Sequence, residues 1–328
     1  MVQKLYYFES MAFDPHANLA AEQYLLEHLQ PGEHILYLWQ NQNTVVIGAN
    51  QNAWAECRVS LLEEEGGKLA RRLSGGGAVF HDLGNLNFTF LTKAEDYDVD
   101  KQLSVIACAC KKAGIAVEKS GRNDMLADGR KFSGNAFYHS KGNAYHHGTL
   151  LINADVQKMQ RYLSPSKAKL EAKGVSSVRS RVVNLQELCP TLTIARMKQF
   201  MLEAYAQVYG LAPQQIQFTE KELQDIQLLR QKNASWDHLF GAPLSFTFQC
   251  ERRFVWGNLQ LDIQAKGGVI QAVKVYSDAM DWQLPQTVEN ALTGCRFTKP
   301  DMCQALDSTI ADKTVRNDLC QWIAAQDI

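Results

Sequence analysis

Apolar and polar positions change their spacing several times along this chain, and each change marks a predicted element. "DPHANLAAEQYLLEHLQPG" reads as a helix, with Asp14 at the N-cap, Pro15 in the first turn and Pro31-Gly32 closing it. "HILYLWQ" and "TVVIG" are nearly continuous apolar runs, so they predict buried strands joined by the polar turn Asn41-Gln42-Asn43. A short helix is expected around "VSLLEEEGG", and "NLNFTFLT" alternates at period two, the mark of a strand. From about Asp98 to Ala113 the spacing predicts a helix that Gly114 ends.

An antiparallel meander follows, with the runs "IAVEKS", "DMLA", "RKFSGNAFYHS" and "NAYHHGTLLINAD". Asp128-Gly129 and Lys141-Gly142-Asn143 supply its hairpin turns. Helices are predicted over Asp155 to Leu163, Ile194 to Tyr209 and Thr219 to Lys232. Near Gly241-Ala242-Pro243 the texture changes. "LQLDIQAKGGVIQAVKVYSD" is a hairpin turning at Gly267-Gly268, and three helical stretches follow it to Ile328. The fold class is therefore α+β: a large domain over 1–243 and a small α+β domain over 244–328.

Composition narrows the class further. Across 328 residues, 34 basic side chains oppose 35 acidic ones, so no global polycation argues for a nucleic-acid partner. No run reaches the ~18 apolar residues of a membrane span. "MVQKLYYFES" lacks the basic head and long apolar stretch of a secretory signal, which predicts a cytoplasmic protein. Eight cysteines at irregular spacing, with no CxxC pair, read as reduced thiols rather than a zinc site or a disulfide framework.

Four stretches carry candidate chemistry. In "RRLSGGGAVFHDLGN", Gly75, Gly76 and Gly77 let backbone N–H groups converge on an anion, while Arg71 and Arg72 add fixed charge. It is no Walker loop, since no Gly-Lys-Ser/Thr ends it, and a plain turn between solvated arginines is the competing reading. In "GRNDMLADGRKFSGNA", Lys131 stands on a strand beyond a tight turn, before the small residues Ser133 to Ala136. It is either a ligand-facing cation on a rigid element or an ordinary surface lysine. Asp124 is a candidate Mg²⁺ ligand or a turn stabiliser. His147 in "HHGTLLINAD", with His81, either lines a polar site or satisfies the core. "KGVSSVRSRVVNL" places Lys173, Arg179 and Arg181 in a Ser-rich loop.

In this order and spacing, these stretches resemble the lipoate–protein ligase A family over essentially the whole chain. "SGRND", "DPHANLAAEQ" and "TVVIGANQNAW" extend the match, and "FTFQCERRFVWGNLQLDI" is similar to the start of a fused C-terminal accessory domain. The resemblance implies a mixed-sheet catalytic fold like that of biotin protein ligases. It also implies ATP- and Mg²⁺-dependent activation of lipoate to lipoyl-AMP, then transfer to one lysine of a lipoyl carrier domain. Acceptors would be subunits of 2-oxoacid dehydrogenases and the glycine cleavage H protein, in lipoate salvage, and octanoate is a conceivable second acid. A monomer without a tightly bound prosthetic group is expected.

Such chemistry brings two anions together. Their repulsion at ~4 Å is about 4 kcal/mol at an effective dielectric of 20, which interposed cations remove. By resemblance, Lys131 is that cation, touching the lipoate carboxylate and the α-phosphate. Arg72 and the backbone of Gly77, Ala78, Val79 and Phe80 would hold the nucleotide. Arg72, Ser74, His81 and His147 would border the lipoate, and Val45, Val46 and the strand near Phe88 would line its apolar tunnel. Three rivals remain: a cysteine-dependent acyl transferase, a biotin ligase, and a protein that only binds lipoyl domains. No cysteine lies in the candidate stretches, which disfavours the first.

Overall fold

The computed structural model describes residues 1–120, 124–163, 182–240, 248–266 and 268–326. Its strands before the change of texture are β1 (Lys4–Glu9), β2 (Glu33–Trp39), β3 (Thr44–Ile47), β4 (Lys68–Arg71), β5 (Val79–His81) and β6 (Asn85–Lys93). The chain continues with β7 (Glu118–Ser120), β8 (Asp124–Ala127), β9 (Arg130–Ser140), β10 (Asn143–Leu151) and β11 (Gln214–Gln215). Eight of these form one mixed sheet in the order β11-β1-β2-β6-β10-β9-β8-β7. The β1–β2 and β1–β11 pairs are parallel and the rest antiparallel. A second sheet, β4-β3-β5, stands apart from it.

Strand β2 shows why "HILYLWQ" is apolar on both faces. Leu36 and Leu38 join the core beneath helix α4 (Val99–Lys112) and the helix Ile194–Tyr209. Ile35, Tyr37 and Trp39 join the opposite core, against α1 (Pro15–Glu27) and Ile226 of the helix Glu220–Asn233. A sheet covered on both faces needs apolar residues at every position, not at alternate ones.

The predicted punctuation recurs in the backbone. Asp98 caps α4 by accepting from Lys101 N–H at 2.9 Å, and Gly114 takes φ +75° just past its end. The meander turns at Asp128-Gly129 and Lys141-Gly142 hold both residues at positive φ, the conformation that twists with the flanking strands. Strand β1 has no counterpart in the expectations. The loop with Lys173, Arg179 and Arg181 lies outside the described residues, as do Gly121 and Gly267.

Beyond the texture change, Phe248–Phe254, Gly257–Lys266 and Val269–Ser277 form an antiparallel sheet. The helices Leu284–Leu292, Lys299–Thr309 and Lys313–Ala324 pack on it around a core of their own that includes Leu259, Ile263, Val288 and Trp322. The strap 277–282 ties this part to the rest. Ser277 N–H donates to Asn50 O at 2.8 Å, Gly76 N–H to Ala279 O at 3.0 Å, and Asn50 Nδ2 to Trp282 O at 2.7 Å. Trp282 also packs on Tyr138, with ring centres 4.7 Å apart.

Candidate active site

A cavity of about 270 Å³ opens where the small sheet meets the large one. Its wall takes Val46 from β3, Arg72 and Gly76 to Val79 from the glycine loop, and Lys131 from β9. His147 to Thr149 of β10, and Arg253, Asp278 and Met280 from the C-terminal part, complete much of the rest.

The glycine loop links β4 to β5 and is held largely by its own arginine. Arg72 Nε donates to Ser74 Oγ at 3.1 Å, and Nη2 donates to the carbonyls of Gly75 and Gly77 at 2.8 Å each. Nη1 reaches Val46 O at 3.1 Å. Burial pushes this guanidinium down to about 10, so it stays charged at neutral pH. Arg72 therefore fixes the loop and presents its edge to the cavity. Arg71 differs from expectation. Its donors go to the carbonyls of Gly48, Ala49, Gln51, His238 and Leu239, so it clamps backbone and does not line the cavity. The glycines are there for close approach. A Cβ on Gly75 would lie 2.4 Å from Ala279 O, and Gly76 holds φ +90°.

Lys131 is aimed by a β-bulge. The β8–β9 register pairs Leu126 with Lys131 but Met125 with Ser133, so one residue is extra at the step between Met125 and Leu126. Its ammonium then lies 2.7 Å from Asp124 Oδ1, with 30% and 25% of the two side chains exposed. Gly134 leaves space for this ammonium: a Cβ there would sit 2.9 Å from Nζ and 3.1 Å from Cε, so the lysine end would have to move. The small run after Lys131 thus makes room first for the chain's own cation.

Opposite the charged rim, the wall is buried and hydrogen-bonded. Ser74 Oγ meets His147 Nε2 at 2.8 Å, and His147 Nδ1 meets Glu22 Oε1 at 2.9 Å. Thr89 Oγ1 donates to the same Glu22 oxygen at 2.7 Å and accepts from Trp39 Nε1 at 3.1 Å. His81 Nδ1 lies 3.2 Å from Asn41 Nδ2. Burial pushes His81 down to about 3, with Arg72 and His147 adding to the effect, so the ring is neutral at physiological pH.

Most expected site residues therefore share one cavity: Arg72, Gly77, Ala78, Val79, His81, Asp124, Lys131 and His147. Ser74 is fully buried behind the wall and acts through His147. Phe80 lies outside the wall; its ring packs on Tyr162 at 5.5 Å and its backbone pairs with Val45. Of the expected tunnel, Val46 faces the cavity, as does Asn87 on the strand that carries Phe88. Val45 points to the opposite side of β3, and Phe88 lies in the core below α4. Leu19 and Trp39 also line the cavity and Glu22 stands behind it, all three outside the expected site. Glu22 had a signal. It is a lone carboxylate within "NLAAEQYLL", three residues from Leu19 and on the same helix face.

The cavity thus sets an ammonium and a glycine loop against a buried, hydrogen-bonded wall. Residues 14–206 match the lipoyl protein ligase A/B catalytic domain, and residues 244–323 match the bacterial lipoate protein ligase C-terminus. The chain belongs to the lipoate–protein ligase family and is an enzyme of that kind. A lipoate-protein ligase A from Psychrobacter cryohalolentis is 40% identical over 312 residues, spanning 93% of this chain and 92% of its own length. One from Bdellovibrio bacteriovorus is 38% identical over 323 residues, spanning 96% and 95%. Among solved structures, P. falciparum LipL1 in complex with lipoate superposes with a TM-score of 0.85 at 26% identity, covering 98% of this chain and 99% of that one. A lipoate-protein ligase A bound with ATP shares the fold, with a TM-score of 0.64 at 24% identity over 74% of this chain and 99% of that one.

Proposed function

We propose that this enzyme joins lipoate to ATP and then passes the lipoyl group to a lysine of a lipoyl carrier domain. The observation that carries the mechanism is the Lys131 ammonium, poised 2.7 Å from a carboxylate at the rim of the glycine-loop cavity. In the first step a lipoate carboxylate oxygen attacks the α-phosphorus. A C(=O)–O–P bond forms, the α–β phosphoanhydride bond breaks, and pyrophosphate leaves. Lys131 exchanges its Asp124 contact for the two approaching anions and lowers their repulsion. In the second step the acceptor amine attacks the acyl carbon, an amide forms, AMP leaves, and the ammonium proton passes to solvent. Transfer accelerates from pH 6 to pH 8 where this chemistry limits the rate, because the amine must enter neutral.

Mg²⁺ belongs to this reading as a companion of the nucleotide. Among the described residues no group of three or more acidic, His or Cys side chains can cage a metal. A cation carried on phosphates needs only one or two carboxylates, and Asp124 at the rim is suited to that. Residues 1–243 are assigned to both chemical steps and 244–328 to an accessory domain, whose Arg253, Asp278 and Met280 reach the cavity. Carrier domains of 2-oxoacid dehydrogenases and the glycine cleavage H protein are the acceptors, in the cytoplasm. Among the described residues no helix is long and apolar enough to cross a membrane. A thioester route has no support in the cavity, whose described wall contains no cysteine.

The test is lipoate-dependent ATP–pyrophosphate exchange, with mass spectrometry of the bound product. Exchange and a lipoyl-AMP mass are expected. Binding of a carrier domain without exchange would reduce the protein to a binding module.

A further inference from the structure

The closed end of the cavity has donors without acceptors. His81 Nε2 and Asn87 Nδ2 are buried with no hydrogen-bond partner, and both residues line the cavity. The tautomer of His81 follows from its neighbours. Asn18 Nδ2 donates to the carbonyls of Ala12 and Gln40, while its Oδ1 accepts from Ser10 Oγ and Tyr37 Oη, which fixes the Asn18 amide. Asn18 Nδ2 shares its two hydrogens with Asn41 Oδ1 at 2.9 Å as well, and an acceptor facing that donor turns Asn41 Nδ2 toward His81 Nδ1. A neutral ring that accepts at Nδ1 carries its proton on Nε2. Asn87 bonds to Asn85 at 2.9 Å through one end of its amide, which leaves the other end without a partner. Trp39, edge-on to His81 with ring centres 6.0 Å apart, holds that ring from the side.

An unpaired buried donor costs free energy unless a ligand satisfies it. A purely alkyl tail has nothing to offer these groups. Lipoate ends in a 1,2-dithiolane, whose two sulfurs are weak acceptors in an otherwise apolar ring. We infer that His81 Nε2–H, with the Asn87 amide on the same cavity wall, recognises the dithiolane sulfurs and so sets the preference of this enzyme for lipoate over acids of the same shape without sulfur. This deepens the lipoate reading and depends on it. Sulfur accepts weakly, so the expected discrimination is about tenfold, far less than a site built for a hydroxyl achieves.

The test needs no variant to begin. For the unaltered enzyme, kcat/KM in hydroxamate-trapped adenylation is compared for lipoate, 5-cyclopentylpentanoate and octanoate. The cyclopentyl acid copies the ring and removes only the sulfurs. Lipoate is expected to lead it by about tenfold, and equal values would overturn the inference. His81→Leu and Asn87→Leu should each narrow the gap, chiefly through KM for lipoate. An unchanged gap in both folded variants assigns the preference to shape alone and overturns the inference as well. Failure to adenylate any of the three acids would instead strike at the proposed function, so the two failures are distinguishable.

Discussion

The two ends of the cavity are built on opposite terms. At the rim, Lys131 and Asp124 keep 30% and 25% of their side chains exposed, and they meet each other across a bulge. At the closed end, Glu22 and His147 keep 2% and 8%, and each is tied into a chain of further bonds through Thr89 and Ser74. A hydrated ion pair is worth little to stability and is readily exchanged for a substrate anion. A buried network is costly to disturb and holds its shape. On the proposed reading, reaction chemistry falls to the end that can rearrange and recognition to the end that holds its shape.

Lys131→Met is the strongest way to break this contrast. It keeps the apolar stem, removes the charge, and should lower adenylation by ~10²- to 10³-fold, or about 2.7 to 4 kcal/mol. Thermal melting should stay close to that of the parent, because the lost pair is half wet. Pre-steady-state lipoyl-AMP formation beside a melting curve measures both, and a parental adenylation rate would return Lys131 to the status of a surface lysine. Glu22→Ala should do the reverse. It strips an acceptor from His147 and Thr89 and should cost about 1 to 3 kcal/mol of stability by denaturant titration. If the loss fell on adenylation with stability unchanged, the closed end would be catalytic rather than structural.

Gly76→Val probes the loop between the two ends. The backbone there is at φ +90°, and a Cβ would sit 3.0 Å from Arg72 Nη2 and 3.3 Å from Met280 Sδ. ATP affinity should fall, by roughly tenfold if about 1.4 kcal/mol of strain is spread over the loop. Calorimetric titration reads this directly, and unchanged affinity would separate the loop from the nucleotide.

A last expected effect is a pH slope in stability. His34, His81 and His146 are each pushed down to about 3, chiefly by burial. Between about pH 6.5 and 3 the unfolded chain binds protons at these sites that the folded chain does not. Stability should therefore be full above pH 6.5 and decline as pH falls, by up to about 1.4 kcal/mol per pH unit for each histidine. His81→Leu should flatten part of the slope in urea titrations at pH 7 and pH 5, whereas an identical slope would place that proton elsewhere.

Local codes made much of the fold legible. Helix Ile194–Tyr209 has its predicted bounds because apolar positions recur on one face and Gly210 follows at φ +71°. The hairpin turns were readable from residues that tolerate positive φ, and Lys131 was placed correctly on a strand. Strand β1 was not. Its burial alternates poorly, and it becomes a strand because β2 and β11 lie parallel on either side of it. The same limit applied to the tunnel, where Val45 and Val46 look alike in sequence and the pleat turns only one of them to the cavity.

Amino-acid order by itself determined the helices, the turns, the glycine loop and the lysine, since each depends on φ preference or on neighbours within a few positions. The tertiary structure alone decided which arginine faces the cavity and which clamps backbone. It also decided that Glu22 answers His147 from 125 positions away and that Asn41 meets the His81 ring. Those outcomes depend on which groups meet after the sheets close, and a hydrogen bond between distant strands and helices leaves no period along the chain.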